Sequence, residues 1–123
     1  MHVQHCCMSM IGIYKSLEKS TPPVPSTRPS VPRTAVLVFG FIPRGRAQSP
    51  SVVVPRPEIT AHELTTLLDQ SSTLLAEAPA LDRNTWFTHP FLGTMNRDQA
   101  LRFLLVHNRH HLKIVADILK QRR

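Results

Sequence analysis

His107-Asn108-Arg109-His110-His111 stands inside a leucine-rich segment, residues 97–120, that reads as the last helix of the chain. On a helix, residues four apart lie about 40° apart in azimuth and about 6 Å apart along the axis. His107 and His111 can therefore direct two imidazole nitrogens at one metal ion. His110 turns about 100° from its neighbour and falls outside the pair. Asn96 reads as the N-cap of this helix, with Gln99 at the third helical position. Leu101, Leu104, Leu105, Leu112, Val115, Ile118 and Leu119 then draw one apolar stripe, predicted to be buried. His111 and Asn108 lie within that stripe and His107 along its edge.

A buried imidazole without a partner costs about 1–3 kcal/mol. Two of them together with Asn108 would cancel the burial of one or two leucines, at about 1.5–3 kcal/mol each. The pair therefore needs partners. Hydrogen bonding to carbonyls or through water is one solution and a shared cation is the other. A divalent-metal site of the catalytic kind takes three protein ligands, so a third donor must come from elsewhere. His2 and His5 can reach across a bundle, and Cys6 and Cys7 are softer alternatives. His62 sits in the first turn of its helix and reads as exposed, and His89 lies in a loop beside Pro90. No Asp or Glu shares the face of the pair, so no separate general base is evident.

The remaining segments point to a helical scaffold. Val3, Cys6, Cys7, Met10, Tyr14 and Leu17 recur at steps of three and four, which predicts a largely buried helix over residues 2–19. It has no N-cap, which suggests a start inside a larger domain. Residues 20–58 form a proline-rich connector, extended in its first part. Within it, the apolar run Ala35–Ile42 reads as a buried strand or a short helix. Pairing that run with Ser51–Val54 as a hairpin ranks below an irregular loop with a helical turn, because nothing else offers a sheet to join. Thr60 and Glu63 form a capping box that starts a helix over residues 60–78. Leu64, Leu67, Leu68, Leu74, Leu75 and Ala78 mark its apolar face. Residues 79–95 read as a loop in which Trp86, Phe87, Phe91 and Leu92 form a hydrophobic plug, with His89-Pro90 and Gly93 fixing turns.

Composition narrows the function classes. The formal charge is +7, from 15 Lys and Arg against 8 Asp and Glu. The arginines are scattered, and no aromatic residues interleave with them in the way that stacks bases. The charge therefore reads as a solvated basic surface rather than a nucleic-acid site. Cys6 and Cys7 are adjacent, a poor geometry for a disulfide. No apolar run approaches a membrane span and no signal peptide is recognisable, which predicts a cytoplasmic setting.

Several motifs together resemble the DinB-like (YfiT-like) four-helix-bundle superfamily. They are Pro55-Arg56-Pro57-Glu58-Ile59-Thr60 leading into a leucine-rich helix, His89-Pro90-Phe91-Leu92-Gly93, Ala100-Leu101-Arg102-Phe103, and His107-Asn108-Arg109-His110-His111-Leu112. His2-Val3-Gln4-His5 resembles, more loosely, the second bundle helix of that family. The resemblance implies an all-α fold and a divalent metal such as zinc or nickel held by three histidines. His107 and His111 match the paired ligands, His2 is taken as the third, and His5 is its alternative. The resemblance also implies a metal-dependent hydrolase or a thiol transferase. A non-catalytic helical module with hydrogen-bonded histidines is the competing expectation. The segments divide as an N-terminal bundle helix (1–19), the connector (20–58) and a C-terminal helical hairpin (59–123). Three main helices form an incomplete, N-terminally truncated bundle, which predicts that the connector or a second copy, as a homodimer, covers the open side.

Overall fold

A computed structural model of the chain describes residues 1–43, 56 and 58–123. Three long helices dominate it. Helix α1 spans His2–Lys19, α3 spans Ala61–Glu77 and α4 spans Arg97–Gln121, with a short α2 at Val31–Thr34. The ends of α3 and α4 follow directly from side-chain chemistry. Thr60 Oγ1 accepts the Glu63 amide at 3.1 Å while Glu63 Oε2 accepts the Thr60 amide at 2.8 Å. Asn96 and Gln99 repeat the arrangement at α4, at 2.8 and 3.0 Å. Each box satisfies two amide donors that a helix start leaves open. Helix α1 has no side-chain cap, in keeping with its sequence.

The segment 79–95, expected as a loop, holds a β-hairpin. Strand β1, Trp86–His89, pairs antiparallel with β2, Gly93–Asn96, in the register Phe87↔Met95 and Thr88↔Thr94. The Thr88 and Thr94 hydroxyls bond across the pair at 3.0 Å. His89 Nδ1 closes the turn by accepting the amides of Phe91 and Leu92, both at 3.0 Å. The expected plug survives in part, since Phe87 and Leu92 are buried while Phe91 is exposed. Gly93 has φ +81°, and a Cβ there would stand 3.1 Å from Arg33 Nη1, so the turn needs glycine on both counts.

The connector contributes to the core. Ser30 caps α2, Pro32 sits in its first turn, and a π-helical turn, Ala35–Phe39, continues it to Gly40. The apolar run from Ala35 is therefore helical over its first five residues. Its proposed pairing partner, Ser51–Val54, lies outside the described residues. Arg33 is buried and reaches four oxygens: Arg28 O at 3.0 Å, Thr27 Oγ1 and Leu92 O at 3.3 Å, and Thr94 O at 3.5 Å. It ties the connector to the hairpin. Val36 then joins Ile13 and Leu17 of α1, Phe87, Leu92 and Met95 of the hairpin, and Ala100, Phe103, Leu104 and Val106 of α4 in one core. The connector thus covers one side of α4.

Helix α1 is the middle helix and packs against both α3 and α4. It runs antiparallel to α4, so that His2 meets His111 and His5 meets His107. That register corrects the expected buried stripes. Residues 112–121 of α4 run about 15 Å beyond the level of His2. Leu112, Ile118 and Leu119 are accordingly exposed, as are Leu105 on α4 and Leu68 and Leu75 on α3. No helix among the described residues is long and apolar enough to cross a membrane.

Candidate metal centre

The amino-terminal turns of α1 and the middle of α4 bring four imidazoles together. His5 Nε2 stands 3.1 Å from His107 Nε2, and His2 Nδ1 stands 2.8 Å from His111 Nδ1. The rings interlock further, with His107 and His111 centroids 4.6 Å apart and His5 and His111 4.7 Å apart. One ring nitrogen from each of His5, His107 and His111 lies within 4.8 Å of the other two. His2 is paired with His111. Of the two candidates for a third donor, the geometry groups His5 with the pair.

The donor set fits a divalent ion of borderline softness. Nitrogen ligands bind zinc at about 2.0–2.1 Å. Two such nitrogens 3.1 Å apart subtend about 100° at a shared ion, between octahedral and tetrahedral angles. Metal ligation requires neutral imidazoles, and burial favours that form at His107 and His111. Burial lowers the pKa of His107 to about 4, aided by the His5 ring and opposed by Asn108. Burial also lowers His111 to about 3, with His107, His5 and His2 acting in the same direction. His2 is lowered too, first by burial and then by the N-terminal ammonium.

The shell around the ligands sets their direction. Asn108 Oδ1 lies 3.3 Å from His107 Nδ1 and can accept a hydrogen bond from an Nδ1–H, the tautomer that leaves Nε2 with its lone pair toward His5. The Phe103 ring lies beside His107, centroids 5.5 Å apart, and continues to His89 at 5.1 Å. His89, kept near the turn it closes, is not one of the three clustered donors. Cys6 and Cys7 are free thiols buried in α1. Burial, and then Cys7, push the Cys6 thiol up to about 11, so it stays protonated and behaves as an apolar group. His62 is exposed, as its place in the first turn of α3 suggested. The contribution of Asn108 was visible in the sequence only as a polar residue on an apolar stripe.

Comparison with known proteins gives one result. A family model described as the DinB superfamily matches residues 1–115. No curated protein and no solved structure matches the chain.

Proposed function

The chain belongs to the DinB superfamily, and we propose that within it this protein binds one divalent metal ion through His5, His107 and His111. The observation that carries the reading is the convergence of three ring nitrogens, from two helices far apart in sequence, within 4.8 Å. Three neutral imidazoles suit zinc, nickel and neighbouring transition metals, and leave coordination positions for substrate. We further propose chemistry of the hydrolase or thiol-transferase type. A divalent ion in such a site supplies Lewis acidity and lowers the pKa of a bound water or thiol. The chain itself holds His107 and His111 in their neutral form by burial and orients His107 through Asn108. His2 steadies His111 through their ring-nitrogen contact at 2.8 Å.

Cobalt(II) substitution tests the donor set. The loaded protein should show d–d absorption in the visible region, and His5→Ala should abolish it while His2→Ala retains it. Loss of the band in His2→Ala with retention in His5→Ala would exchange the two roles. A featureless spectrum in the parent protein would reject the site.

One observation favours a second reading. The four rings also satisfy each other two by two, at 2.8 and 3.1 Å, as hydrogen-bonded pairs. On that reading the protein is a non-catalytic helical module. A melting temperature unchanged by chelation and by added metal would support it.

A further inference from the structure

A cavity of about 170 Å³ opens between α3 and α4, over the first turns of α1, and His111 forms part of its wall. Cys7 and Met10 of α1, Leu68 of α3, and Leu112 and Val115 of α4 supply apolar surface. Among the described residues, none that lines it is an acid, a lysine or an arginine. Of the two thiols in its lining, Cys6 is kept protonated by burial and Cys7 is almost wholly enclosed. Its polar lining groups are His2, Asn108 and His111, which also belong to the histidine cluster and its shell. An apolar wall that ends at a metal-ligating imidazole is the form of a substrate subsite: one end excludes water and the other fixes orientation.

We propose that this cavity receives the apolar group of a small amphipathic substrate whose polar head binds the metal ion. The substrate class is a neutral or anionic metal-binding head joined to one compact hydrophobic group of about benzene's size. A cavity of about 150 Å³ lined by aliphatic and aromatic side chains takes up benzene, so about 170 Å³ admits one ring or a short branched chain. The polarity of the lining disfavours a sugar or phosphate at this position, because such groups would lose their hydrogen bonds to water. A second copy of the chain is the other candidate occupant. A net charge of +7 opposes pairing two copies of the chain.

The proposal rests on the metal reading, and the test separates the two. Zinc-loaded protein is titrated calorimetrically with acetohydroxamate and with benzohydroxamate, which share a metal-binding head and differ in the apolar group. Benzohydroxamate should bind at least tenfold more tightly. Val115→Phe and, as a second variant, Met10→Phe should each reduce that ratio to about threefold or less while acetohydroxamate binds as before. Toluene added to the chelated protein should shift the methyl resonances of Val3, Leu68, Leu112 and Val115 without any metal. Failure of both hydroxamates would remove the metal reading and the proposal together. Acetohydroxamate binding with no benzohydroxamate preference and no toluene shift would overturn the proposal alone. So would sedimentation showing a dimer from which toluene is excluded, since the cavity would then belong to an interface.

Discussion

Replacing His107 by Leu should remove a pH-dependent penalty from the metal-free protein. Burial holds the His107 pKa at about 4 against 6.5 for an exposed histidine. The unfolded chain therefore takes up a proton below pH 6.5 that the folded chain refuses until about pH 4. Stability falls as the pH is lowered across that window, because the unfolded state binds more protons there. At about 1.4 kcal/mol per pH unit, the loss from this one residue is about 2 kcal/mol at pH 5 and about 3 kcal/mol at pH 4. Leucine has a similar volume, packs against Phe103, and carries no proton. At pH 7 the variant should lie within about 1 kcal/mol of the parent, since lost hydrogen bonds and gained apolar burial offset each other. Urea denaturation of chelator-treated protein at pH 7 and pH 5 measures both. The gap between variant and parent should move by about 2 kcal/mol in favour of the variant on going to pH 5. Parallel pH dependence in the two proteins would refute the claim that His107 is held neutral by its surroundings.

Three further outcomes follow from the same geometry. Zinc at one hundred times its dissociation constant should stabilise the protein by about 2.7 kcal/mol, raising the melting temperature by about 10 °C, and His111→Ala should erase the increment. Differential scanning calorimetry with and without chelator reads it. Arg33→Ala should cost about 3 kcal/mol in denaturant unfolding, because its bonds to three backbone carbonyls and the Thr27 hydroxyl disappear and the hairpin loses its tie to the connector. Asn96→Ala should cost about 1 kcal/mol through loss of the α4 cap and leave metal affinity unchanged, which separates a stability effect from a site effect.

The helices were legible because their ends are written in local chemistry. The boxes at Thr60–Glu63 and Asn96–Gln99 depend on residues three apart, and periodicity filled in the rest. The hairpin was not legible. Its strands are four residues each, too short for alternation to register, and its turn is closed by His89, a side chain with many other uses. Periodicity also overstated burial on α3 and α4. It identifies which face is apolar, but the partners decide how much of that face is covered: α4 outruns α1, and among the long helices α3 packs chiefly against α1. The third donor failed to resolve for a related reason. His2 and His5 are one turn apart on α1, and the register against α4, a tertiary property, groups His5 with the pair and sets His2 against His111. The paired histidines themselves needed no tertiary knowledge, since their spacing alone put them on one face.

Zinc titration of the metal-free protein, with bound metal counted by elemental analysis after gel filtration, is the most direct trial of the three-histidine centre. One ion per chain in the parent and in His2→Ala, falling to near zero in each of His5→Ala, His107→Ala and His111→Ala with their helical circular dichroism intact, is the predicted result. An unchanged stoichiometry across those three variants, or no retained metal in the parent, would contradict it.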